Sequence, residues 1–400
     1  MKKTMAVLAL VAAATFLFFG CEKKATAAAS TTGTMPAATV AAAPAATTAT
    51  AAPAAPAATT TAQQKAAVSI KQEVRTVKPD YTIRFAYYDA ATWPSISKTP
   101  LPEHAYALVF KSIVESNSNG KIAVDLYPGN ALGDTKATME MAMSGGIEMV
   151  TTTGTVSSLM PETQVIFLPY VFKSDEIAWD FFDNSALWKE MTAKLEKISG
   201  LKMISVGQNG TRHFTNNVRP IHTPADMKGL KFRVMQSPIY VKMVEAMGAS
   251  ATPLASGEIY TACQTGVVDG QENPIWNIAA NKWNEVQKYI TLDGHTWSEN
   301  FVLMNADFWN SLPAEYQHII EIAAYHAQNA DRAAEDLASR VLDFESVKNS
   351  MEVYVPTAEE LDQFKKAAAP TYDWLRGEVG NEIVDRFLAE VKKSEAKFGW

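Results

Sequence analysis

The sequence is poor in the residues from which metal and catalytic sites are usually built. It contains only two cysteines and six histidines among 400 residues. The histidines show no metal-binding spacing such as His-Glu-x-x-His, and the chain has no Gly-x-Ser-x-Gly elbow, Walker loop or Gly-x-Gly-x-x-Gly fingerprint. An enzyme hypothesis therefore has no residue to support it, and we predict a protein that is not an enzyme and carries neither a metal nor a cofactor.

Positive charge is also in deficit. Lysine and arginine number 36 against 43 aspartate and glutamate residues, which gives a net charge of −7. An acidic chain does not attract a phosphate backbone, so we expect no nucleic-acid partner.

The single extended apolar run is at the N-terminus. Lys2 and Lys3 precede apolar residues 5–19, which are too few to cross a bilayer as a mature helix, so residues 1–20 are predicted to be a signal peptide. Gly20 directly before Cys21 is typical of a bacterial lipobox, in which Cys21 would carry lipid. The alternative is an ordinary secreted protein that is cleaved elsewhere.

Low-complexity sequence follows this segment. Residues 25–67 are nearly all alanine, threonine and proline, and such a composition cannot offset the entropy of ordering. We interpret residues 21–79 as a disordered tether that holds a folded domain at the extracytoplasmic, periplasmic side of a membrane. A spacer without function is the alternative.

Alternating strand and helix patterns begin after the tether. Residues 81–88 alternate as a strand does, 102–119 are predicted to be helical, 121–127 form a second strand, Asp134 can N-cap a further helix, and 147–152 form a third strand. This alternation of strands and helices predicts an α/β fold whose mainly parallel sheets are covered by helices.

A second α/β pattern starts near residue 209, which predicts two lobes. Lobe I comprises residues 80–208 plus about 299–339, and lobe II comprises 209–298 plus about 340–400.

One helical pattern is unusually long. Residues 313–346 keep one face apolar, with Ser311 as the expected N-cap, and a helix of that length would reach about 50 Å. Two shorter helices joined by a bend are the alternative.

Three segments carry the most specific information. They read Asn-Gly-Thr-Arg-His-Phe at 209–214, Pro-Ala-Asp-Met-Lys-Gly-Leu-Lys-Phe-Arg-Val at 224–234, and Gly-Glu-Ile-Tyr-Thr-Ala-Cys-Gln-Thr-Gly-Val-Val-Asp-Gly-Gln-Glu-Asn-Pro at 257–274. Their order and spacing resemble the solute receptors of TRAP transporters (DctP type), which capture organic acids for a cation-driven carrier. The resemblance extends from about residue 81 to the C-terminus. It implies a two-lobed, periplasmic-binding-protein-like (Venus flytrap) fold with a long helix spanning both lobes.

Arg233 is the principal candidate for binding an anion. Leu230, Phe232 and Val234 share one strand face, and Arg233 points to the other. A buried guanidinium needs an anion and can meet a carboxylate with two parallel hydrogen bonds. In the resembling family the arginine of this motif clamps the substrate carboxylate; an internal ion pair is the structural alternative.

Other site residues follow from the resemblance. Arg212 matches a second arginine near the ligand, which either touches the ligand or orients the partners of Arg233. Asn273 matches an asparagine that hydrogen-bonds the acid, although it could instead shape the turn before Pro274.

Four further residues are weaker substrate-binding candidates, and each could equally be ordinary core or structure: Thr153, Gln236, Trp276 and Tyr88. Sialic-acid receptors of the family have an acidic residue where Thr153 aligns, which argues against sialic acid.

The resemblance implies an extracytoplasmic receptor that captures a small organic acid, a C4-dicarboxylate or a related carboxylate, in a cleft between its lobes. Its partners would be the small and large TRAP membrane subunits, and a lipid anchor would hold it at the membrane. Two rival hypotheses are a tethered ligand sensor for a signalling partner and an enzyme acting on a small acid.

Overall fold

The computed structural model describes residues 77–91 and 100–400. The predicted signal peptide, Cys21 and nearly all of the predicted tether lie outside these residues.

Nine strands in the described residues form one sheet, in the order β2-β1-β3-β8-β4-β7-β5-β6, with β9 paired to β8. The strands are Tyr81–Ala86 (β1), Ile122–Tyr127 (β2), Met149–Thr152 (β3), Leu201–Asn216 (β4), Lys231–Val234 (β5), Ser250–Pro253 (β6), Gly270–Asn273 (β7), Tyr289–Asn305 (β8) and Glu352–Tyr354 (β9).

Helices cover this sheet. They are Pro102–Asn117 (α1), Thr135–Met143 (α2), Asp175–Asn184 (α3), Ala186–Ser199 (α4), Pro238–Ala246 (α5), Ile259–Gln264 (α6), Ile275–Ala280 (α7), Ala306–Ser311 (α8), Ala314–Leu337 (α9), Asp343–Ser350 (α10), Ala358–Ala368 (α11), Pro370–Val379 (α12) and Asn381–Lys397 (α13). None of the helices in the described part of the chain has both the length and the apolar character that a membrane crossing requires.

Local sequence signals account for the first elements. Ile83 and Phe85 are fully buried and Thr82 and Arg84 are less so, as predicted for a strand, although Ala86 is buried as well. The side chain of Asp134 accepts a hydrogen bond from the backbone N–H of Ala137, so the predicted N-cap of α2 is confirmed. The α/β fold with a mainly parallel sheet is confirmed as well, since five of the eight strand pairings in the described residues are parallel.

The centre of the sheet is antiparallel, which the sequence did not predict. β4 and β8 pair from Leu201 opposite Asn305 to Asn216 opposite Tyr289, with three register shifts along the way. These two strands are long enough to belong to both halves of the sheet, so the two lobes share one continuous sheet. β1, β2 and β3 lie on one side of the pair, and β5, β6 and β7 lie on the other.

The predicted long helix is present but interrupted. α9 is followed directly by a π-helical turn at Ala338–Leu342 and then by α10. α9 packs on α1 and β4, whereas α10 packs on α7 and β9, so the run follows both halves of the sheet. The expected N-cap is wrong: Pro313 occupies that position, and Ser311 ends α8, where its hydroxyl donates to the carbonyl of Phe308.

Two acidic residues of α9 contact β4 where glycine leaves room for them. The carboxylate of Asp331 accepts from the backbone N–H of Gln208, and that of Glu335 accepts from Nε2 of the same residue at 2.5 Å. A Cβ added at Gly207 or Gly210 would overlap these carboxylates, and Gly210 has φ of +112°, which other residues rarely adopt. Burial raises the pKa of Asp331 to about 7 and that of Glu335 to about 8.

The C-terminal helices connect elements that are distant in sequence. α12 packs against α5, whereas α13 packs against α3 and α4. These helices therefore contact elements on both sides of the predicted boundary at residue 209, and the residue limits of the two lobes stay a prediction.

Candidate functional site

A cleft of about 550 Å³, including its open mouth, lies beside the carboxyl ends of β1, β3, β5 and β7. Ligands of open α/β sheets bind at this edge of the strands. One wall comes from the segments that follow β1 and β3, and the other from β5, β7 and the loop after β6. Its described lining residues are Tyr88, Asp134, Thr135, Thr153, Thr155, Asn209, Arg212, Arg233, Met235, Gln236, Leu254, Ala255, Ser256, Asn273, Asn277 and Trp283.

Arg233 lines the cleft with its side chain 3% exposed. Its Nε and Nη2 donate to the carbonyl oxygen of Leu254 at 2.9 and 2.7 Å. No carboxylate of the described residues lies within ion-pair distance of the guanidinium, so the internal ion pair that the sequence left open is not formed there. Burial lowers the pKa of Arg233 to about 10, which records the cost of an uncompensated buried cation.

Arg212 is equally buried but already has a counter-ion. It lies on β4, and its Nε and Nη2 donate to Oε2 and Oε1 of Glu272 at 2.5 and 2.9 Å. Its guanidinium also lies over the ring of Tyr240, 5.5 Å from the centroid. Nη1 is buried and has no hydrogen-bond partner among the residues that the structure describes. Arg212 thus lies in the lining of the cleft and pairs with Glu272, whereas its role towards the ligand or towards Arg233 stays a prediction.

Glu272 was not singled out from the sequence, although it is part of the quoted motif. Burial by itself would raise its pKa, but Arg212 and His295 more than offset this and hold the pKa at about 2. His295 is 3.3 Å from Oε2 of Glu272, and its Nδ1 lies 3.1 Å from Asp293. Glu272 is therefore ionised at neutral pH and neutralises Arg212.

Asn273 is the last residue of β7 and lines the cleft directly before Pro274 and α7. Its Nδ2 donates to Oε1 of Gln271 at 2.5 Å, which fixes the orientation of the amide. Asn273 thus borders the turn and lines the cleft, and its contact with a bound acid stays a prediction.

Three of the weaker candidates also line the cleft. The hydroxyl of Tyr88 donates to Oδ1 of Asn300 at 2.6 Å, and that of Thr153 lies 3.3 Å from the sulfur of Met235. Gln236 lines the cleft with an exposed side chain. These residues belong to opposite walls, so the cleft brings together side chains far apart in sequence.

Trp276 is not among the residues that line the cleft. Its ring is fully buried against Leu101 and Ala338, and its indole N–H donates to the carbonyl of Asn209 at 2.6 Å. Trp276 thus supports the backbone of a lining residue and does not itself face the cleft.

Among the polar lining residues that were not predicted from the sequence, three lie close in sequence to a predicted site residue. Asn277 lies one helical turn after Asn273 in α7, and Asn209 begins the quoted Asn-Gly-Thr-Arg segment. Thr155 follows Thr153 by two residues, and its hydroxyl is 2.6 Å from that of Thr152. In each case, the short distance in sequence from a predicted site residue was the signal that could have identified the lining residue.

Metal ligation finds no support in the part of the chain that the structure describes. No group of three or more histidine, cysteine, aspartate or glutamate side chains there is arranged to hold an ion. Cys263 is buried, and burial raises the pKa of its thiol to about 11, so it behaves as a small apolar residue.

Hydrogen bonds join the two walls of the cleft. The hydroxyls of Ser157 and Ser237 are 3.1 Å apart, and the backbone N–H of Ile239 donates to Oε1 of Gln164 at 3.0 Å. These contacts connect the segment after β3 with the segment after β5. They tie the two walls of the cleft to each other in this structure.

Comparison with known proteins gives consistent matches. The family model "Bacterial extracellular solute-binding protein, family 7" matches residues 95–377. The ectoine/5-hydroxyectoine-binding periplasmic protein UehA of Ruegeria pomeroyi is 32% identical over 336 residues, covering 82% of this chain and 95% of that protein. The C4-dicarboxylate-binding periplasmic protein DctP of Rhodobacter capsulatus is 30% identical, covering 74% and 88%. The galactonate complex of the sugar acid binding protein DctPAm from Advenella mimigardefordensis superposes with a TM-score of 0.74 at 29% identity, covering 80% and 99%.

Proposed function

This chain belongs to family 7 of the bacterial extracellular solute-binding proteins, the solute receptors of TRAP transporters, and we propose that it captures a small carboxylate in the described cleft and delivers it to a TRAP carrier. The resemblance found in the sequence is thereby confirmed at the level of the family. The partners of this receptor would be the small and large membrane subunits of such a carrier.

The observation that carries the proposal is the uncompensated charge of Arg233. A buried guanidinium without a carboxylate partner is costly, and a ligand carboxylate that enters the cleft would remove that cost. The free Nη1 of Arg212 supports the same site, because a buried donor without an acceptor is unfavourable. Asn273 and Asn277 would add neutral hydrogen bonds beside the carboxylate.

Closure would strengthen this contact. Excluding water lowers the effective dielectric around the ion pair, so the carboxylate is bound more tightly in the closed form than in an open one. A ligand with this preference shifts the receptor towards closure only by its difference in affinity for the two forms. The closed form is then the state that we propose the membrane subunits recognise.

The known ligands of relatives define the range to be tested. The named relatives bind ectoine, C4-dicarboxylates or galactonate, and the resemblance in the sequence suggested a C4-dicarboxylate or a related acid. Native mass spectrometry of freshly purified protein should detect a retained acid, and calorimetric titration should reproduce its binding. Protein that retains no acid and binds no member of a broad panel of organic acids would contradict the proposal.

We also propose that the receptor is not an enzyme and that lipid on Cys21 anchors it at the extracytoplasmic side of a membrane. The family consists of extracytoplasmic receptors, which supports both the location and the lack of catalysis. Incubation with the retained acid should therefore leave that acid chemically unchanged. Transport restored by adding the receptor to vesicles with the TRAP subunits would separate a transport receptor from a sensor.

A further inference from the structure

The charges around the cleft restrict the class of acid that it can hold. We propose that the receptor selects an acid with a single carboxylate, whose other polar groups are neutral, over a dicarboxylate of the same length. This inference rests on the proposed function, because it assumes that the carboxylate binds at Arg233.

Among the described lining residues, the charged side chains are Arg212, Arg233 and Asp134. The ionised carboxylate of Glu272 makes two hydrogen bonds to Arg212 and cancels its charge. Asp134 is exposed at the rim, where its carboxylate caps α2. One buried positive charge, that of Arg233, therefore remains to be balanced by a ligand.

A second carboxylate would meet no free cation among these residues. The remaining polar groups of the lining are hydroxyls and amides: Tyr88, Thr135, Thr153, Thr155, Asn209, Gln236, Ser256, Asn273 and Asn277. Such groups pair well with ligand hydroxyl, keto or amide groups, since they both donate and accept hydrogen bonds. A carboxylate buried among them keeps much of its desolvation cost, because hydrogen bonds alone replace the counter-ion.

The expected selectivity can be measured with matched acids. Calorimetric titration at pH 7.5 would compare D-galactonate with galactarate and D-gluconate with D-glucarate, which differ only in oxidation of the terminal carbon. Within a pair that binds, we expect the monocarboxylate to have at least a 30-fold lower Kd than the dicarboxylate. A dicarboxylate that binds as tightly as its partner would overturn the inference while leaving the receptor function intact. If neither pair binds, the same comparison is made with a monocarboxylate and its matched dicarboxylate from the broad panel, and failure of the whole panel would contradict the proposed function and this inference with it.

Two variants test the electrostatic cause. Thr155 is half-buried on the wall opposite Arg233, so Thr155→Lys should place a second cation in the cleft and lower the Kd of the dicarboxylate at least tenfold. Thr155→Met is the matched control of similar length without charge, and it should give no such gain. Glu272→Gln should shift the same ratio towards the dicarboxylate by freeing the charge of Arg212.

The two variants differ in their structural risk. Glu272 is fully buried and also contacts His295, so Glu272→Gln is assessed only if its circular dichroism and melting match the wild type. Thr155→Lys does not depend on that network. A folded Thr155→Lys protein whose preference between the paired acids equals that of the wild type would refute the charge argument.

Discussion

Replacing Arg233 with methionine would show whether its guanidinium serves the ligand or the fold. Methionine keeps much of the apolar length of the side chain and removes the charge. The substitution removes a buried cation, and the lowering of the pKa of Arg233 to about 10 gives the net cost of that charge, burial being its largest cause, as about 3 kcal/mol. It also removes two hydrogen bonds to the carbonyl of Leu254, each worth about 1.5–3 kcal/mol because the donor is charged. These effects oppose each other, so the free energy of unfolding without ligand should change by less than about 3 kcal/mol.

Arg212→Met is the matched comparison. It would leave the carboxylate of Glu272 buried without its main partner, which costs about 3–5 kcal/mol. Urea denaturation of the ligand-free proteins should therefore show Arg212→Met as clearly less stable than Arg233→Met. The comparison needs no knowledge of the ligand.

For ligand affinity, in contrast to stability, Arg233 should matter more than Arg212. Loss of one member of a buried charge pair costs about 2–5 kcal/mol, so Arg233→Met should raise the Kd of the bound acid by about 30-fold to several thousand-fold. Arg233→Lys keeps the charge but loses the planar fork, and it should remain impaired. Calorimetric titration measures these changes. Wild-type affinity in Arg233→Met, or a loss of stability as large as that of Arg212→Met, would refute the assignment of Arg233 to the ligand.

Four further predictions concern the fold, its pH dependence, closure and anchoring. Because Asp331 and Glu335 have pKa values raised to about 7 and 8, the folded protein holds protons that the unfolded chain has released, so the free energy of unfolding should fall by about 1 kcal/mol or more between pH 7 and 8.5. Urea titrations of Asp331→Asn and Glu335→Gln should each show a weaker slope with pH, and an unchanged slope would contradict the assignment. Gly210→Ala should destabilise the protein by several kcal/mol because the new methyl group overlaps Glu335, whereas Gly377→Ala in an open helical position should be neutral or stabilising in the same assay. Small-angle scattering should give a smaller radius of gyration with the bound acid than without it; a correct ligand that raises the melting temperature without changing the radius would indicate a preformed pocket. Cys21→Ser should move the protein from the membrane to the soluble extracytoplasmic fraction, and a variant that stays membrane-bound would argue against lipid on Cys21.

The sequence predicted most of what depends on neighbouring residues. The N-cap at Asp134 and the alternation around Arg233 are local signals, because a cap or a strand face is decided within a few positions. The motif at 224–234 also placed Arg233 on β5, facing the cleft.

The sequence did not reveal what depends on distant pairing. The antiparallel pairing of β4 with β8 joins residues that are about 70 to 100 positions apart. In the sequence, the glycines at 207 and 210 look like the end of a strand, although both lie within β4. The ion pair between Arg212 and Glu272 likewise depends on which strands become neighbours. The prediction that Trp276 lines the cleft failed for another reason. Successive side chains in the first turn of α7 point in different directions, so a position close to Asn273 in sequence did not place the Trp276 ring in the cleft.

The shared strands β4 and β8 also affect how the molecule can come apart. Each strand continues its backbone hydrogen bonds through the middle of the sheet, and the run from α9 to α10 follows both halves. A boundary between two domains near residue 208 would cross both central strands in mid-length and would expose the apolar face of the helical run. Neither half would keep a complete sheet and helix layer after such a division, so we expect the described chain to unfold as one cooperative unit and not as two independent domains.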